Sequence, residues 1–177
     1  MRSLYLGLCL VIAAVSGCST GEAQRANGNA AVTPQGSPMP LSLPTKTFTE
    51  ADLAKLKWIV GSWRGTGGGV EPFYERYSFR NPRTLAVESF TDESLQKLTG
   101  TSLYTLQDGH FGSSHYSMSD ITDDAATFVP IISTAKNSFV WKRESESVWK
   151  ATLTWPATDG KPAGERIYVM AKIEEQK

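Results

Sequence analysis

Few side chains in this sequence have the type and spacing to do chemistry. Arg166 and Tyr168 stand two residues apart near the C-terminus, on what reads as the last strand. Residues two apart on a strand share a face, so a guanidinium and a phenol there can grip one carboxylate from the same side. His110 and His115 are the two histidines. Their odd spacing turns them to opposite faces of a regular strand, which does not suit one shared metal. His110 adjoins a turn and is expected to be exposed, whereas His115 has the option of facing inward. Asp120, Asp123 and Asp124 make an oxygen-rich cluster of the kind calcium takes, without EF-hand spacing or its glycine. A solvated turn is the better reading, and no metal site is assigned. Glu75 and Glu88 lie in strand segments and are candidates to face inward, but nothing brackets a substrate between them. Ser113-Ser114-His115 is no triad, because neighbours on a strand point apart and no nucleophile elbow surrounds them. No catalytic residue is assigned, and the balance is against an enzyme.

These side chains need elements to position them. Thr49 can cap a short helix whose first turn holds Glu50 and Asp52, with Leu53, Leu56 and Ile59 as its apolar stripe and Val60 extending it. Then comes the organising stretch, Leu56 to Gly69. Residues Gly61, Trp63, Gly65, Gly67 and Gly69 would share one strand face, nearly bare apart from one indole. Such a face suits a place where a barrel closes tightly or another backbone crosses. Period-two segments follow at 73–79, 84–91, 99–107, 110–118, 125–134, 138–143, 148–155 and 165–174. Asp108-Gly109 is a hairpin signal, and Pro130 marks an edge or a bulge. The expectation is an all-β fold: an up-and-down antiparallel β-barrel of about nine or ten strands with a short N-terminal helix, which removes sheet edges. Trp141, with Trp149, Trp155, Tyr104, Tyr116 and Phe128, either lines a pocket for an apolar ligand or fills the barrel.

A helical turn followed by Gly61-x-Trp63 on a first strand resembles the calycin superfamily of lipocalins, fatty-acid-binding proteins and nitrobindin-like barrels. The spaced glycines to Gly69, with Pro72 behind, look most like the nitrobindin type. The resemblance implies a barrel that binds a small apolar or amphipathic ligand. Arg166 and Tyr168 resemble the carboxylate-binding pair of fatty-acid-binding proteins, with Trp63, Trp141 and His115 as further ligand-binding candidates. It also offers a structural role for Arg166, packed across Trp63 as the late basic residue of lipocalins is. Gly65 to Tyr74 is too short for the helical lid of fatty-acid-binding proteins. Nitrobindin-like proteins bind haem through a late histidine and act on reactive nitrogen species. Here no histidine follows His115, so no cofactor is assigned, and His115 or Tyr168 would have to substitute. The remaining alternative is a packed barrel serving as an interaction module.

The N-terminus carries an address. Arg2 precedes an apolar run from Leu4 to Val15, too short to span a membrane comfortably, and Val15-Ser16-Gly17-Cys18 resembles a bacterial lipobox. That resemblance implies a signal peptide at 1–17, lipidation of Cys18 and a cell-envelope location. With Ser19 after the cysteine rather than aspartate, it implies the periplasmic face of an outer membrane where the cell has one. Cys9 and Cys18 are the two cysteines, so the mature domain keeps no thiol for a disulfide or a metal. Residues 18–47 read as a flexible tether rich in Ser, Asn, Gly and Pro, and 48–177 as one domain. Of 18 acidic and 18 basic residues, only Glu22 and Arg2, Arg25 and Lys46 precede residue 48, so the domain is slightly acidic. No basic run supports nucleic acid as a partner. The expected partners are the small ligand and the membrane reached through Cys18.

Overall fold

Alternation of apolar and polar side chains buries one face of each strand, and here the strands close that face on itself. The computed structural model describes residues 41–158 and 160–174, so the expected signal peptide, Cys18 and most of the expected tether lie outside the described residues. A four-residue helix α1 (Glu50–Leu53) runs into a tight 3-10 turn (Ala54–Ile59). Ten strands follow: β1 (Gly61–Gly67), β2 (Phe73–Asn81), β3 (Thr84–Phe90), β4 (Leu98–Gln107), β5 (His110–Gly112), β6 (Tyr116–Ile121), β7 (Ala125–Pro130), β8 (Ser138–Arg143), β9 (Val148–Trp155) and β10 (Gly164–Lys172). Each pairs antiparallel with its sequence neighbours, and β10 returns to β1, closing an up-and-down barrel.

The helix forms where the capping chemistry predicts. The Thr49 hydroxyl accepts from the Asp52 amide at 3.3 Å, and the Asp52 carboxylate accepts from the Thr49 amide at 2.9 Å. Leu53, Leu56 and Ile59 are 1 %, 0 % and 0 % exposed and plug the end of the barrel where β1 begins. Val60 does not extend that stripe. It sits at the turn into β1, 39 % exposed. The Trp63 indole donates to the Ile59 carbonyl at 2.7 Å, tying plug to first strand.

The bare face of β1 has a specific cause. A Cβ on Gly65 would lie 2.2 Å from the Phe73 ring, which packs flat across the glycine from the start of β2. Gly67 sits against the Ile167 carbonyl of β10 and ends the strand, so Gly69 belongs to the following turn rather than to the strand face. Gly65→Ala is expected to cost about 1–3 kcal/mol in urea unfolding, as overpacking does. Phe73→Leu in the same chain should recover part of that loss. An equal loss with and without Phe73→Leu would show that the glycine serves some other contact.

Two strands differ from the periodicity. Residues 110–118 do not form one strand. A Cβ on Gly112 would lie 2.0 Å from the Tyr116 carbonyl, because the chain doubles back there and the Ser113 amide donates to that same carbonyl at 2.9 Å. The result is a three-residue β5, a loop at 113–115, and β6. The 125–134 run is a strand only to Pro130. At Asp108-Gly109 both φ angles are positive, 50° and 81°, as a tight hairpin with that sequence requires.

Residues 41–47 lie along the outside of the barrel, and Phe48 turns into its core. The Leu41 amide donates to the Ile131 carbonyl at 2.8 Å, at the end away from the helix. Seven residues on, the Phe48 amide donates to the Gly109 carbonyl at 2.7 Å, at the helix end. Between them Lys46 bridges to Asp120 of β6 and holds that carboxyl below the usual carboxylate range.

Candidate functional site

The barrel axis is filled with rings. Trp141 and Trp149 lie 6.1 Å apart, Tyr77 stands edge-on to Trp149 at 5.5 Å, and Tyr104 meets Trp141 at 5.3 Å. Phe128 touches both Phe139 and Trp141 at 4.7 Å, continuing the array toward the other end. Trp63, Trp141 and Tyr168 are each 2 % exposed or less. Buried rings of this size account for much of a small barrel's stability, and edge-to-face pairs add to it.

One ionisable group is enclosed with them. Glu75, on β2 between Phe73 and Tyr77, faces inward opposite Trp63 and Ser89 and is 1 % exposed. The Tyr77 hydroxyl donates to one carboxyl oxygen at 2.7 Å, and the Ser89 hydroxyl approaches the other at 3.5 Å. Burial pushes its pKa up to about 7, although both hydroxyls lower it. Glu88, the other inward candidate, stands on the opposite face of its strand and pairs with Arg80 at 3.8 Å.

The last strand brings Arg166 and Tyr168 together at the end away from the helix. The guanidinium donates to the phenol oxygen at 3.5 Å, while the Tyr168 ring packs edge-on to Phe73 and over Gly68. Arg166 itself is exposed. It is not the residue across Trp63. Register sets Lys172 opposite Trp63, and its ammonium lies 6.0 Å from the indole centroid. Arg166 is six positions further along β10, so the barrel-closing cation is Lys172.

His115 does not face the interior. It sits in the loop between β5 and β6, with its Nδ1 2.8 Å from the Ser114 hydroxyl. Haem does not fit the arrangement of these residues: rings occupy the axis, and both His115 and the buried Tyr168 phenol lie away from a shared cavity. Asp120, Asp123 and Asp124 do not converge, and among the described residues no group of three or more metal-ligating side chains does.

A concavity among the described residues lies outside the barrel. A cleft of about 470 Å³ runs beside β4 and β5, walled on one side by Leu43 of the 41–48 segment. Leu103 and Ile131 supply its other apolar surface, and Thr105, Gln107, Ser113, Ser114, His110 and Ser117 its polar one. Two buried atoms in that lining have no hydrogen-bond partner among the described residues, Ser117 Oγ and His110 Nδ1. Ser117 is 2 % exposed, so its hydroxyl is out of water as well as unpaired. An unmatched buried polar group costs about 1–3 kcal/mol, and Trp58 Nε1, Trp149 Nε1 and Asn137 Nδ2 are left in the same state away from the cleft. His110, expected to be exposed, is half-buried with its ring in the cleft. No motif marked this site. The only sequence signal was the proximity of His110 to the Asp108-Gly109 turn.

No family model matches the chain. No curated protein matches it either. Solved structures that align with it include EF1p2_mFAP2b bound to DFHBI, at 11 % identity over 67 % of this chain and 97 % of that one, with a TM-score of 0.35. A redesigned β-barrel aligns at 15 % identity over 66 % and 93 %, with a TM-score of 0.34.

Proposed function

We propose that this protein is an envelope lipoprotein, lipidated at Cys18, that binds a small neutral amphipathic ligand in the cleft outside its barrel. The supporting observation is the pair of unpartnered buried atoms, Ser117 Oγ and His110 Nδ1, set in a cleft whose volume lies in the range of small-molecule sites. Leu43, Leu103 and Ile131 would take the apolar part of such a ligand. A hydroxyl or amide head would satisfy Ser117 and His110 once the lining shifts to open those atoms, which are closed to water as they stand. The ring-filled axis argues against the interior as the seat of the ligand. Kinship with the calycin barrels is part of the proposal, supported by the plug before β1, the bare glycine face and the closed meander of ten strands.

The test is native mass spectrometry of the full chain purified from the envelope, set against its denatured mass. A non-covalent adduct is expected, with an affinity lowered about tenfold by Ser117→Ala and again by His110→Ala, as loss of one hydrogen bond each predicts. A denatured mass without acyl groups at residue 18 would contradict the anchor. An adduct indifferent to both variants would contradict the cleft.

A further inference from the structure

The barrel is closed at β5 by three residues, and this leaves part of β4 uncovered. The Leu106 amide donates to the Arg83 carbonyl at 2.8 Å, in step with Thr84 opposite Thr105. In an antiparallel ladder the bonded pairs alternate, so Leu106, Ser102 and Gly100 turn their backbone groups toward β3. Thr105, Leu103 and Thr101 turn theirs to the opposite edge. There β5 meets β4 only opposite Thr105, Leu106 and Gln107. Strand β6 does not take over, because it meets β5 through Gly112 and Ser117. Among the described residues, the amides and carbonyls of Thr101 and Leu103 therefore have no strand beside them.

Natural sheet edges are guarded by lysine, proline or inward charge. None of these occurs within Leu98–Gln107. Its outward side chains include Leu98 and Leu103, 51 % and 44 % exposed.

We propose that β4 pairs through this edge with β4 of a second copy of the chain, antiparallel and about a two-fold axis at Thr101. The sequence of the edge fits its own reverse. Thr101 then faces Thr101, a favourable cross-strand pair, and the two small residues Gly100 and Ser102 face each other. Leu103 of each copy lies beside the Leu98-Thr99 end of the other. No charge sits on either edge, so like charges do not oppose the pairing. The contact is isologous and closes at two. It is also short, because β5 blocks the edge beyond Leu103, so dimers form at high local concentration.

Sedimentation velocity of the full chain, carrying Cys18→Ser so that no lipid drives association, tests this. A reversible monomer–dimer equilibrium is expected. Thr101→Pro removes an amide that faces the free edge and none that faces β3. It is expected to weaken the dimer at least about tenfold, since symmetry deletes the bond twice. Should the proline variant fail to fold, Thr101→Lys keeps the amide and places two charges on the axis, with the same expected loss. Amide exchange supplies an independent readout, with protection at Thr101 and Leu103 rising with protein concentration in step with the dimer. A chain that stays monomeric at all concentrations would overturn the proposal. So would a Thr101→Lys protein that dimerises normally, or protection of these amides that is independent of concentration.

Discussion

Glu75→Gln is expected to make the protein more stable at pH 8 by about 3 kcal/mol and to leave it unchanged at pH 4. The folded carboxyl keeps its proton up to about pH 7, whereas the unfolded one releases it near 4.5. Between those values the folded state binds more protons than the unfolded state, so stability falls as pH rises. The stabilising contribution is complete below about 4.5 and gone above about 7. Glutamine keeps an oxygen for the Tyr77 hydroxyl and offers an amide to Ser89 Oγ, without a charge to bury. Urea unfolding at both pH values measures this. A wild-type protein equally stable at pH 5.5 and pH 8, after allowance for its surface carboxylates, would show that Glu75 is hydrated in the folded state. Those surface groups act at the acid end. Asp52, held below the usual range by hydrogen bonds with Thr49, and Asp120, held so by Lys46, lose their contributions as pH falls through their folded pKa values.

Trp141→Ala is expected to cost about 3–5 kcal/mol, a large share of a typical domain's stability. Five other rings, Tyr77, Tyr104, Phe128, Phe139 and Trp149, meet Trp141 within 6.1 Å, so truncation opens a void that several neighbours face at once. The variant should still retain the proposed ligand at temperatures where it remains folded, because Trp141 does not line the outer cleft. A modest stability loss together with loss of the ligand would place Trp141 in a binding site instead. Calorimetry and native mass spectrometry on the same sample separate the two outcomes.

What was legible in the sequence was local. Thr49 with Asp52, the Leu53-Leu56-Ile59 stripe, the Asp108-Gly109 turn and the period-two runs each specify structure over a few residues, and they formed as written except that 110–118 breaks at 113–115 and 125–134 ends at Pro130. Glu75 was visible as a lone carboxylate on the apolar face of Phe73 and Tyr77. What was not legible depends on register between distant segments. Whether Arg166 or Lys172 crosses Trp63 is decided by how β10 slides along β1, and both residues share a face of their strand. The break at 113–115 follows from Gly112 pressing on the Tyr116 carbonyl, which alternation of side chains does not record. The cleft arises because the 41–48 segment lies beside a strand of only three residues, and neither piece announces the other. His110 and Ser117 become a pair only through that juxtaposition.

The proposed seat of the ligand is outside the barrel wall. It is tested most directly by two-dimensional 1H–15N spectra of the protein as purified and of the same protein unfolded, freed of small molecules and refolded. The expected result is shifts at the amides of His110, Gly112, Ser113 and Ser117, with the indole N–H signals of Trp63, Trp141 and Trp149 unmoved. Large shifts at those indoles, with the cleft amides unchanged, would place the ligand on the barrel axis and contradict it.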